Sequence, residues 1–163
     1  MKKVSELLRQ HPFAEELGDE VIETIVGCAK NVVFQENEYV FLEGDEARYF
    51  YLIRHGAVAL EMFVPGRGPL TFLTVKSGEI LGLSWLVPPY RWSYDARAVE
   101  TTRTIAFECA CLRDKCESQP HVGYAMLKRF VPPLIERLEM ARIQSANVYG
   151  DVEKNPRIEG SQA

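Results

Sequence analysis

The sequence predicts an α+β chain, mainly β: a sandwich or barrel of short strands between N-terminal helices and a long C-terminal helix. Three observations predict it. Apolar residues recur at helical spacing up to about Lys30. From Asn31 to Glu108 they fall into short β-branched and aromatic runs, separated at regular intervals by Gly, Asp and Pro. Beyond Pro120 the helical period returns, with Leu127, Leu134, Ala141 and Val148 spaced seven apart.

Residues 1–30 read as two helical pieces. Val4, Leu7 and Leu8 share one face, and Leu17, Val21, Ile22, Ile25 and Val26 share another. Pro12 and Gly18-Asp19 divide them, with Asp19 as the expected N-cap. Residues 31–111 hold the strands: Val32 to Gln35, Tyr39 to Leu42, Tyr49 to Ile53, Ala57 to Val64, Leu70 to Val75, Tyr94 to Val99 and Arg103 to Glu108. An unusual loop, 78–93, interrupts them and carries two Trp, one Tyr and two Pro. Residues 112–149 read as a short helical turn and then a long helix opened by Pro120. Pro132-Pro133 should kink or divide that helix near Arg129. Residues 150–163 are polar and should fray.

Composition excludes several classes. The 163 residues carry 19 basic and 23 acidic side chains, a net charge of −4, which disfavours general nucleic-acid binding. No stretch approaches the ~20 apolar residues that span a bilayer, and the N-terminus lacks a signal-peptide core. The expected compartment is the cytoplasm, with the four cysteines as reduced thiols.

Catalytic signatures are weak. His11, His55 and His121 are isolated, and Gly82-Leu83-Ser84-Trp85-Leu86 lacks the second Gly of a nucleophile elbow. The expectation is a non-enzyme. Cys109, Cys111 and Cys116 match no common zinc or iron–sulfur spacing; they read as small buried side chains, with a redox or metal sensor as the other reading. On the last helix, Lys128, Arg129, Arg137 and Arg142 alternate with Glu136 and Glu139, giving a mixed face rather than a basic stripe.

Four segments in order carry a resemblance: Val40-Phe41-Leu42-Glu43-Gly44-Asp45-Glu46-Ala47, Phe50 to Val58 with its His55-Gly56 turn, Gly78-Glu79-Ile80-Leu81-Gly82, and Asp95-Ala96-Arg97-Ala98. Together they resemble the cyclic nucleotide-binding domains of catabolite activator and FNR type regulators, over roughly Leu7 to Val148. The resemblance implies a β-roll (a double-stranded β-helix or jelly roll) of about eight strands with flanking helices. It also implies a small anionic ligand in the roll, cAMP or cGMP, and a homodimer through the C-terminal helix. The residues after Val148 are too few for a helix-turn-helix, so no direct DNA binding is expected, nor a membrane association.

The phosphate-binding cassette departs from the family pattern. Gly82 matches the family's glycine, but Leu83 stands where the ribose-binding Glu belongs. Without a gap, Trp92 falls on the phosphate Arg and Ser93 on its small neighbour; Arg91, one place early, serves if the loop bulges by one residue. Arg137 resembles the residue that the last helix lends to the base. Losing both the acid and the Arg would cost roughly three to five decades of affinity. Two readings follow: a sensor module that binds a small anion, or a degenerate roll plugged by Trp85 or Trp92 that acts on a protein partner. For the apolar stripe of the last helix, a dimer seam and packing on the chain's own barrel both stand.

Overall fold

A computed structural model describes residues 3–149. The tail predicted over residues 150–163 lies outside the described residues. The described residues fall into two units that divide between Phe130 and Val131.

In the first unit the helix α1 (Val4–Arg9), a 3₁₀ turn (Pro12–Ala14) and α2 (Asp19–Val26) precede eight strands. These are β1 (Ala29–Phe34), β2 (Tyr39–Phe41), β3 (Tyr49–His55), β4 (Ala57–Val64), β5 (Gly68–Lys76), β6 (Ile80–Leu81), β7 (Asp95–Ala98) and β8 (Thr102–Glu108). The helix α3 (Cys109–Ser118) follows, and then the start of α4 (Pro120–Tyr149). The strands form two antiparallel four-stranded sheets, in the orders β1-β8-β3-β6 and β2-β7-β4-β5. This is the mainly β roll that the sequence predicts. The short β6 lies inside the loop that the sequence reading left without a strand.

The period-2 alternation of β3 and β8 builds two cores. Phe50, Leu52, Ile105 and Phe107 join the helices in one cluster, with Leu8, Phe13, Ile25, Leu112, Met126 and Phe130. Tyr51, Ile53 and Ala106 join the other cluster, between the sheets, with Phe34, Phe41, Val58, Leu60 and Val75. A strand buried on both faces reads as a continuous apolar run, which is why Tyr49 to Ile53 shows no polar alternation. The β3–β4 corner requires Gly56: its φ is 95°, and a Cβ there would stand 2.5 Å from Thr102 Oγ1.

Three local expectations are corrected. Asp19 is not the N-cap of α2; Gly18 holds that place, and the Asp19 carboxylate pairs with Arg9 instead. Pro132-Pro133 does not divide α4, which stays helical from Pro120 to Tyr149 although both prolines lack the amide that would close a helical bond. The cysteines are not four thiols. The end of α2 and the start of α3 bring Cys28 and Cys111 to a Cα separation of 5.8 Å, and a disulfide joins them. Cys109 and Cys116 are free.

The start of α4 is fastened within the first unit. Arg129 donates from Nε to the Phe13 carbonyl (3.0 Å) and from Nη2 to the Pro12 carbonyl (2.7 Å). Phe130 meets Phe13, Phe50 and Trp85. The second unit, as far as it is described, is the continuation of α4, with Val131, Leu134, Leu138 and Val148 exposed.

Candidate functional site

The loop from Gly82 to Ser93 closes the roll and holds most of the residues singled out from the sequence. Gly82 opens it in a left-handed conformation, φ 93°, which a side chain would strain. The space in front of its Cα is taken: a Cβ there would meet the Trp92 indole at 2.6, 3.1 and 3.5 Å. Leu83 packs against the helical core rather than into the roll, and Trp85 is buried there, stacked on Phe50 at 5.2 Å. Val87 and Pro88 are exposed, and a cis bond joins Pro88 to Pro89.

The return of the loop is bound to the β2–β3 turn. The Ala47 amide donates to the Tyr90 carbonyl (2.7 Å), the Trp92 amide to the Asp45 carbonyl (3.0 Å) and the Gly44 amide to the Trp92 carbonyl (2.8 Å). Arg91 is exposed and donates from Nη1 to the Gly44 carbonyl at 2.8 Å. Ser93 is exposed too. Trp92 points the other way. It is 3% exposed, stacks on Phe41 with centroids 4.0 Å apart and 13° between planes, and belongs to the cluster between the sheets. Ala47, Ala96, Ala98 and Ala106 belong to the same cluster, and these small side chains leave room for a large ring.

The alternation of a strand explains the split. Arg91, Trp92 and Ser93 lead into β7, so consecutive side chains alternate sides and the one-residue offset between Arg91 and Trp92 becomes an exchange of inside for outside. The bulge that would turn Arg91 inward is absent, because the Trp92 amide and carbonyl are both committed to the β2–β3 turn. In this arrangement the cassette does not fit a cyclic phosphate. Its one guanidinium faces a backbone carbonyl, the acid position is Leu83, and an indole stands against Gly82. The cleft that Trp92 lines measures about 290 Å³ and is shared with Val40, Phe41, Asp45, Glu46, Arg48, Tyr49 and Tyr51. The remaining sequence candidate, Arg137, lies on α4 in the second unit.

Two arrangements went unnoticed in the sequence. Glu61 of β4 is buried and accepts from Nε (3.0 Å) and Nη2 (2.5 Å) of Arg97 on β7, while Arg97 Nη1 reaches Asn37 Oδ1 at 2.9 Å. The signal was a charge breaking an apolar run on each of two strands. The second is Arg113 of α3, which donates to the Trp85 carbonyl (2.5 Å) and lies 4.2 Å from the Tyr90 ring centroid. Nothing in the local sequence of α3 announces that contact. Among the described residues no group of His, Cys, Asp or Glu could hold a metal ion, and no helix is long and apolar enough to cross a membrane.

The comparisons with known proteins agree with this architecture. The family model of the cyclic nucleotide-binding domain matches residues 31–119. A protein of Geobacter metallireducens GS-15, described as cyclic nucleotide-binding, is 28% identical, with a TM-score of 0.72 over 82% of this chain and 97% of that one. A cyclic nucleotide-binding domain from Methylobacillus flagellatus is 19% identical, with a TM-score of 0.77 over 93% of this chain and 88% of that one. Cyclic nucleotide-gated ion channel 18 of Arabidopsis thaliana is 23% identical over 147 residues, which are 88% of this chain and 19% of the channel; the chain spans less than two thirds of that relative's length. With more than half of its residues matched by the family model and the roll in place, the chain belongs to the cyclic nucleotide-binding domain family.

Proposed function

We propose that this chain is a non-enzymatic regulatory module whose roll is plugged by Trp92 and which acts through protein contact rather than through tight binding of cAMP or cGMP. The observation that carries this reading is the Trp92 indole against Gly82, stacked on Phe41. A nucleotide would have to displace a buried ring, and burial of one aromatic side chain is worth several kcal/mol. It would also have to draw Arg91 away from the Gly44 carbonyl. The contact surface in this reading is the exposed stripe Val131, Leu134, Leu138 and Val148 of α4, at the spacing of a two-helix seam, and its partner is a second copy of the chain.

Membership of the family favours a second reading, a working cyclic-nucleotide sensor. Calorimetry separates the two. Titration of cAMP and of cGMP into the full chain is expected to give no binding tighter than about 1 mM, following the loss of three to five decades. Micromolar binding by the wild type, abolished in Arg91→Ala, would establish the sensor reading instead. For the contact surface, sedimentation should report a dimer that Leu134→Glu with Leu138→Glu converts to monomer.

A further inference from the structure

The plug is held from α3. Arg113 grips the loop at two points, the Trp85 carbonyl and the Tyr90 ring, and Trp92 follows two residues after Tyr90. Two residues before Arg113 on the same helix, Cys111 is bonded to Cys28 at the end of α2. One short helix is therefore fastened covalently to the N-terminal helices by its first turn and holds the cassette loop by its second. We infer that Cys28–Cys111 is a reversible thiol–disulfide clasp which sets, through Arg113, how firmly the loop keeps Trp92 inside the roll. The inference rests on the plugged-roll reading above.

The chemistry of the pair is asymmetric. Cys28 is buried and Cys111 is half-buried, so Cys111 is the sulfur that a reagent reaches first. It stands in the first turn of α3, where unpaired backbone amides favour a thiolate. Lys115, one helical turn after Cys111, brings a positive charge to the Cys28 side of the bond, its Nζ 3.7 Å from where a Cβ of Gly27 would lie. The other two thiols are poorly suited: burial pushes Cys109 up to about 12 and also raises Cys116.

The oxidant is a small-molecule disulfide. The Cys111 thiolate attacks one of its sulfurs, forming a mixed disulfide and releasing one small thiolate. The Cys28 thiolate then attacks Cys111 Sγ, closing the protein disulfide and releasing the second. The protein gives up two electrons and two protons; the reagent's S–S bond takes the electrons, and its two released thiolates take the protons. A small dithiol runs the same steps in reverse.

The test uses the full folded chain, with and without dithiothreitol. Removal of the reductant, denaturation, alkylation and intact-mass analysis should then count two thiols in the untreated protein, Cys109 and Cys116, and four in the reduced one. Hydrogen exchange over residues 83–92 should be at least about tenfold faster in the reduced protein. Cys28→Ser with Cys111→Ser should exchange like the reduced form whether or not reductant is present. Arg113→Met should speed the loop while the thiol count stays at two, and the double Ser variant supplies the same comparison if Arg113→Met does not fold. Four thiols before treatment, or two after it, would overturn the clasp. So would equal, slow exchange in both redox forms, which would leave the plug standing. Fast exchange in both forms would instead remove the plugged-roll reading on which the clasp depends.

Discussion

Trp85 and Trp92 lie seven residues apart in one loop and are buried almost equally, 1% and 3% exposed, yet they serve different cores. Trp85 completes an aromatic group of Phe50, Phe130 and Phe107 that joins the roll to the helices. Trp92 lies between the sheets on Phe41, where it also lines an open cleft. The first ring is a structural joint. The second occupies the interior against the family's glycine, Gly82. Equal burial therefore does not mean equal role: what matters is which space a ring fills, and whether that space can be filled by anything else.

That difference can be broken by substitution. The largest effect is expected at Trp85: Trp85→Ala should destabilise the chain by about 3–5 kcal/mol in urea unfolding, because the ring, although it also lines a cleft of about 350 Å³, packs on both Phe50 and Phe130. Trp92→Ala should cost less, about 2–3 kcal/mol, since its ring packs on one aromatic neighbour, Phe41, rather than two, and water from the adjoining cleft can enter the space it leaves. Equal losses would erase the distinction between joint and plug. Next comes Gly82→Ala, expected to cost at least about 2 kcal/mol, from a left-handed backbone and a contact that forces the indole aside. Near-ultraviolet circular dichroism should report the displaced ring.

Two smaller effects sharpen the comparison away from the loop. Arg97→Met leaves the Glu61 carboxylate buried without its partner; with Arg97 itself partly exposed and the pair screened, the cost should be about 1–2 kcal/mol, and Glu61→Gln with Arg97→Met should recover part of it. His11 gives the smallest. Its Nε2 lies 2.9 Å from the Ile53 carbonyl and its Nδ1 accepts from the Phe13 amide, and burial lowers its pKa below the ordinary 6.5. The unfolded chain therefore takes up a proton near pH 6.5 that the folded chain refuses. Stability is full above that pH and declines as pH falls from about 6.5 through the depressed folded value. Urea unfolding at pH 7.5 and 5.5 should show a smaller decline in His11→Gln than in the wild type.

The fold was legible because its signals are local. Turn glycines such as Gly44, Gly56 and Gly78 all take positive φ, and strand runs between them need no knowledge of distant residues. The short β6 escaped because two residues, Ile80 and Leu81, are too few to show a period. The cassette was legible only as a choice between Arg91 and Trp92. A single-residue offset decides which side chain faces inward, and it is set by hydrogen bonds to Gly44, Asp45 and Ala47 that lie more than forty residues away in sequence. The pairing of Cys28 with Cys111, 83 residues apart, is of the same kind: spacing says nothing until two helices are packed together.

Crystals of the full chain grown with saturating cAMP examine the interior directly. The account predicts the Trp92 ring in contact with Gly82 and Phe41, Arg91 on the Gly44 carbonyl, and no nucleotide density between the sheets. A cyclic phosphate seated at Gly82 with Arg91 turned inward and the indole displaced would contradict it.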